Sequence, residues 1–153
     1  MEKFELYLAP MVRVSTLPMR LLCLDYGADM VYTPEIIDRA IIGAKRVTRN
    51  DVIEYVKDDR VVFSTVAREK SKLVLQLGTA DPSLALKAIE TVSRDVDFVN
   101  INSGCPKRFS IQGGMGAALL RDPEKLCSIL STLVENSTKT ISVKIRMMDS
   151  VLV

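Results

Sequence analysis

Cys105 stands between Gly104 and Pro106, where the apolar run Phe98-Val99-Asn100-Ile101 gives way to Asn102-Ser103. Glycine lets a backbone approach a ligand closely, and proline stiffens the loop that follows. That placement suits a reactive thiol held at a strand end better than a packed or bridged one. Cys23 and Cys127 lie in helical apolar patterns and read as packing residues. Three cysteines at wide spacing, with no C-x-x-C, make neither a disulfide framework nor a zinc site, and no metal is expected. The sequence contains no histidine, which removes Ser-His and Cys-His nucleophile systems within it. A general acid here has to be Cys, Lys, Tyr, Asp or Glu.

Other polar residues also interrupt apolar runs. Gln76 breaks Leu73-Val74-Leu75-Gln76-Leu77. A buried amide needs hydrogen-bond partners, either the backbone of a neighbouring loop or a flat heterocycle with donors and acceptors. Lys144 and Arg146 alternate with Val143 and Ile145, so both point to one face of a strand. That face is either the solvated side of an edge strand or, in an interior strand, a place for an anion such as a phosphate or a reduced flavin. Gly113-Gly114-Met115-Gly116 follows a loop, not a strand, and reads as a substrate loop rather than a phosphate cradle. Lys107, Arg108 and Arg121 flank it, suiting RNA phosphates or a solvated surface equally.

The elements that must position these residues alternate. Phe4 to Ala9 reads as a strand ended by Pro10, and Leu17, Leu21 and Leu24 as a helix stopped by Gly27. A strand at Asp29 to Tyr32 and a helix over Glu35 to Ala44 follow. Val52 to Val56 and Arg60 to Ser64, around Lys57-Asp58-Asp59, read as an inserted hairpin. The strands at Leu73 to Leu77, Phe98 to Ile101 and Ile141 to Ile145 then alternate with helices. Those helices open at Asp81-Pro82, with Ala85, Ala88, Ile89 and Val92 inward, and at Asp122-Pro123, with Leu126, Ile129, Leu130, Leu133 and Val134 inward. Alternation of this kind gives an α/β fold with parallel strands, either an open doubly wound sheet or a (β/α)₈ barrel. Both carry their chemistry at the C-terminal ends of strands, where Pro10-Met11, Glu35, Gln76, Cys105 and Lys144 fall.

The 153 residues suffice for one core, and 26% charged residues with a net charge of +2 neither demand nor exclude a nucleic-acid partner. No membrane span is present in the sequence, and Met1-Glu2-Lys3-Phe4-Glu5 is no signal region, so an intracellular, cytoplasmic protein is expected.

Taken together, these strand ends resemble the flavin-dependent tRNA-dihydrouridine synthases. Asn102-Ser103-Gly104-Cys105-Pro106 matches their N-x-G-C-P signature, Gly114 to Leu120 the segment after it, and Lys144-Ile145-Arg146 their K-x-R motif. Ala9-Pro10-Met11 and Gln76-Leu77-Gly78 resemble the first and third strand exits, and Ala9 to Leu22 resembles the eukaryotic synthase 2 branch. The resemblance covers nearly the whole chain. It implies a (β/α)₈ TIM-type barrel holding FMN, reduced by NADPH, that reduces a D-loop uridine (position 20 type) of tRNA to 5,6-dihydrouridine. By the same resemblance Cys105 is the general acid, giving its thiol proton to the base. Pro10, Met11, Val12 and Gln76 would contact the flavin ring, with Glu35 as a further contact. Lys144 would stabilise the reduced form, and Asn102 and Arg146 would meet the substrate.

Only about five strands can be counted where such a barrel has eight. Residues 1–153 are therefore expected to be the N-terminal part of the catalytic domain, without the later strands, the helical tRNA-binding domain or the family's histidine. Residues 150–153 do not read as a finished terminus. The chain alone is expected to be inactive. The alternatives are a non-catalytic truncated isoform or interaction module, or another FMN barrel such as a dihydroorotate dehydrogenase, against which the Gly-Cys-Pro loop argues.

Overall fold

Changes of periodicity along the chain mark changes of element in the computed structural model, which describes residues 4–147. Residues 1–3 and 148–153, including both chain ends considered above, lie outside the described residues. β1 is only Tyr7–Leu8, shorter than the expected Phe4 to Ala9. It pairs with Met30 and Val31, whose own strand, β2, is short, and Pro10 has no N–H to extend the ladder. Between them α1, Leu17–Asp25, starts with Pro18 in its first turn, and Gly27 follows it at φ +93°. After β2, Met30–Tyr32, comes β3, Ile36–Ile37, and then a single turn of helix, α2, Asp38–Ile41. The helix expected over Glu35 to Ala44 is thus cut down, because Ile36 and Ile37 are drawn into pairing with Leu77 and Gly78.

The inserted excursion is a three-stranded antiparallel sheet: β4, Lys45–Arg49, β5, Val52–Lys57, and β6, Arg60–Val66. Apolar patterning predicts β5 and β6 but misses β4, whose sole apolar residue is Val47. Both connections are two-residue turns with positive φ, at Asn50-Asp51 (+47°, +67°) and Asp58-Asp59 (+48°, +57°), as tight hairpins of right-twisted strands require. Tyr55 and Phe63 stack on its inner side with ring centroids 5.6 Å apart.

A 3₁₀ turn, Ala67–Lys72, leads to β7, Leu73–Gly78, buried along its whole length as expected. α3, Pro82–Val92, is capped by Asp81 Oδ1, which accepts the Leu84 N–H at 2.8 Å, and its four expected inward residues are buried. β8, Phe98–Ser103, is followed by α4, Arg108–Gln112, and a 3₁₀ turn, Gly116–Arg121. α5, Pro123–Asn136, is capped by Asp122 and buries Ile129 and Leu133. Val134 is 63% exposed and Cys127 is exposed as well, so neither packs in the core as the periodicity suggested. α5 packs against α3, the Gly116–Arg121 turn and β9, and Leu126 and Leu130 are partly buried beside Ile129 and Leu133. Cys23 does pack against the core from α1. β9, Thr140–Ile145, completes the described elements.

The main sheet has the order β1-β2-β7-β8-β9, with β3 extending the β2 side of β7, and all its pairings are parallel. The order follows the chain and never reverses. A doubly wound sheet needs a reversal at its switch point, so this is the winding of a (β/α) barrel. Among the described residues no helix is long and apolar enough to cross a membrane.

Candidate functional site

Register decides which side chains meet. Gln76 pairs with Asn100 and Asn100 with Ser142, while Asn102 pairs with Lys144. With side chains alternating every second residue, these residues share one face of the sheet. At its C-terminal end a cleft of about 360 Å³ is lined by Pro10, Met11, Val12, Glu35, Gln76, Asn102, Gly104, Cys105, Pro106, Lys107, Lys144 and Arg146. Every catalytic, cofactor and substrate candidate of the sequence is therefore brought to one place, from segments up to 136 residues apart (Arg146 minus Pro10).

The cysteine loop is fastened at several points. Asn102 Oδ1 accepts the Gly104 N–H at 3.0 Å, and Arg146 Nε donates to the Gly104 carbonyl at 2.5 Å. The Ala117 N–H donates to the Cys105 carbonyl at 2.9 Å. Cys105 is half-buried, so its thiol is held and still reachable. Asn102 and Arg146, expected to meet the substrate, are here first of all the residues that hold this loop.

The loop after β1 is tied from below. Met11 N–H donates to Ser15 Oγ at 2.9 Å, and Ser15 Oγ donates back to the Met11 carbonyl at 3.0 Å. Arg20 Nη1 donates to the Ser15 carbonyl at 3.0 Å and Nη2 to the Ser64 carbonyl at 2.7 Å. Its guanidinium also forks onto Glu69 at 2.8 and 2.9 Å, and the two side chains are 2% and 0% exposed. A buried ion pair so fully hydrogen-bonded joins the first loop to the inserted sheet. Nothing in the apolar periodicity reveals it; an arginine inside a short amphipathic helix was the only sign.

Glu35 comes in from the end of β2. Burial raises its carboxyl pKa above the ordinary value, although the Asn102 amide and the Lys107 ammonium pull it back. Its Oε1 is buried with no hydrogen-bond partner among the described residues. A Cβ at Gly78 would lie 2.6 Å from that atom, which is why the strand carrying Gln76 leaves the sheet on glycine.

Gln76 does not use a loop backbone for its side chain. Its Nε2 donates to Asn100 Oδ1 at 2.9 Å, and its backbone N–H donates to Thr33 Oγ1 at 2.9 Å. Lys144 is exposed on β9, the outer strand of the described sheet. The cleft thus offers apolar surface from Met11 and Val12, an open amide oxygen, a carboxyl group and three cations, Lys107, Lys144 and Arg146. Such a set can hold a flat heterocycle that carries both hydrogen-bonding edges and negative charge, with the thiol on one side. A neighbouring cavity of about 390 Å³, which shares Glu35 and is otherwise lined by residues such as Leu17, Ile37 and Phe63, has its one cation, Arg20, already paired.

The family model described as dihydrouridine synthase matches residues 7–150. The chain is 48% identical to the tRNA-dihydrouridine(20) synthase (NAD(P)+) of Saccharomyces cerevisiae, over 95% of this chain and 42% of the relative. It is 45% identical to the protein of that name from Schizosaccharomyces pombe, over 94% of this chain and 32% of the relative. A tRNA-dihydrouridine(20a/20b) synthase-like protein of Homo sapiens is 31% identical over 92% of this chain. The chain spans less than half the length of these curated relatives.

Proposed function

The chain belongs to the dihydrouridine synthase family, and from that premise we propose that residues 1–153 form the first part of a flavin-binding barrel that reduces a D-loop uridine of tRNA to 5,6-dihydrouridine. The observation that carries the reading is the pinned Cys105 loop facing the same cleft as Gln76 and Lys144. The names of the two yeast relatives support position 20 as the target and a nicotinamide reductant, which we take to be NADPH.

The residues present fit FMN. Its ring needs apolar cover, polar partners at one edge and a cation for the charge of its reduced form. Pro10, Met11 and Val12 would supply the cover, Gln76 and Glu35 the polar partners, and Lys144 the cation. When bound and reduced, FMN would supply a hydride to C6 of the uracil.

The remaining steps belong to this chain. Cys105 holds its proton on sulfur and delivers it to C5, so that the C5–C6 double bond becomes a single bond and the sulfur is left as thiolate. Half-exposure lets the thiolate recover a proton from water between turnovers. Asn102 and Arg146 keep the donor rigid by gripping Gly104 from both sides, which is worth more to rate than to binding. Lys107, Arg108 and Arg121, beside the loop, would receive RNA phosphates.

Replacing Cys105 by Ala in the full-length protein tests the reading. Uridine reduction should fall by two orders of magnitude or more on the scale of about 10²–10⁴ for a lost general acid. Reduction of bound flavin by NADPH should continue. Normal tRNA reduction by that variant would remove Cys105 from the mechanism.

A further inference from the structure

Gln76 is 3% exposed and Asn100 2%, yet neither belongs to the apolar core. They form a ladder that runs across three strands. The ladder has a direction, and its direction can be derived from its lower end.

The carbonyl of Val99 can only accept. Ser142 Oγ donates its single proton there, at 3.3 Å. What remains on that hydroxyl is acceptor capacity, so the group of Asn100 facing it must be the NH₂, and Nδ2 indeed lies 2.9 Å away. The other end of the same amide is then Oδ1, which accepts from Gln76 Nε2 at 2.9 Å. Gln76 Oε1 is left over. It accepts none of the hydrogen bonds among the described residues, and Gln76 lines the cleft. The two ends of a primary amide have nearly the same shape, so sterics cannot decide which one faces a ligand; only the partners can.

We propose that Asn100 and Ser142 are positioning residues that turn the acceptor end of Gln76 toward the cleft, so that this position selects a ligand edge bearing an N–H donor. The inference rests on the flavin reading given above. The oxidised flavin ring has a single N–H, at N3, between two carbonyls. A buried acceptor left without its donor is costly, so a ligand lacking that hydrogen should be rejected.

The test compares dissociation constants for FMN and for FMN methylated at N3, measured by fluorescence on the full-length protein. The wild type should prefer FMN by about tenfold or more, the scale of one buried hydrogen bond of about 1.4 kcal/mol. Asn100→Asp keeps an acceptor toward Gln76 and should keep the preference. Asn100→Leu releases the amide to rotate and should bring the ratio toward one, with Ser142→Ala between the two. The ratio is internal to each variant, so a substitution that only loosens the fold weakens both ligands together and leaves it unchanged. Equal affinities in the wild type, or an unchanged ratio in Asn100→Leu, would overturn the assignment while leaving the flavin reading in place. A wild-type protein that binds neither compound would overturn both.

Discussion

Gly116 backs directly onto Cys105: a Cβ at residue 116 would stand 2.6 Å from the Cys105 carbonyl oxygen and 2.9 Å from the Cys105 Cβ, and would collide with Ser110 Oγ. The glycine also holds φ +58°, a conformation other residues adopt at a cost. In Gly116→Ala the methyl group can be housed only by moving the cysteine loop. A displacement near 1 Å costs up to about 100-fold in rate. Uridine reduction should therefore drop tenfold to 100-fold. Gly43→Ala is the control, since Gly43 has φ +79° and nothing within 4 Å of an added Cβ. That variant should lose only about 1 kcal/mol of stability and keep its activity. Equal activity in the two variants would mean that the contact does not hold the thiol.

Glu35→Gln should stabilise the apo protein near neutral pH. Burial raises the carboxyl pKa in the folded state, so folding binds a proton more tightly there than the unfolded chain does. The stability tied to this group is then complete below the ordinary carboxylate range and is lost as pH rises through the raised value. Glutamine stays neutral throughout. Thermal melting across pH should show the variant ahead of wild type at pH 7 and level with it below about pH 4. A constant difference at every pH would rule out titration of Glu35 as the cause.

The Arg20–Glu69 pair separates stability from positioning. Arg20→Met leaves Glu69 buried with no counter-charge and should cost about 3–5 kcal/mol in denaturant unfolding. Adding Glu69→Leu removes that orphaned charge and should return most of the loss. It cannot return the hydrogen bond to the Ser15 carbonyl that steadies the Met11 loop. The double variant should therefore melt close to wild type yet bind FMN more weakly. Full recovery of FMN affinity would show that the pair serves the fold alone.

Lys144→Ala should do the reverse of Arg20→Met. Lys144 is exposed and makes no ion pair among the described residues, so stability should stay within about 0.5 kcal/mol. Flavin affinity should fall, and more so for the reduced than the oxidised form, which lowers the reduction potential. Unchanged potential in a variant that still binds FMN would exclude Lys144 from the flavin's reduced form.

Much of this molecule was legible in the residues themselves. Asp81-Pro82 and Asp122-Pro123 announce helix starts because the cap and the fixed φ are local properties, and both helices begin there. The apolar run of β7, broken only by Gln76, reports burial on both faces, and Gly104-Cys105-Pro106 reports a rigid reactive loop without any partner being known. What could not be read was whatever depends on pairing across the fold. β4 is a strand because β5 offers it a ladder, although four of its five residues are polar or charged. Glu35 to Ala44 has a helical pattern but loses its first turn to pairing with Leu77 and Gly78. Cys127 and Val134 follow the apolar rhythm of α5, yet both are exposed once the helix has packed against α3, the Gly116–Arg121 turn and β9. The ladder from Ser142 to Gln76 and the grip of Arg146 on Gly104 exist through register, because residues 24 to 42 positions apart share no local signal. Side-chain type fixes what a residue is able to donate or accept; the parallel register of β7, β8 and β9 decides what it meets.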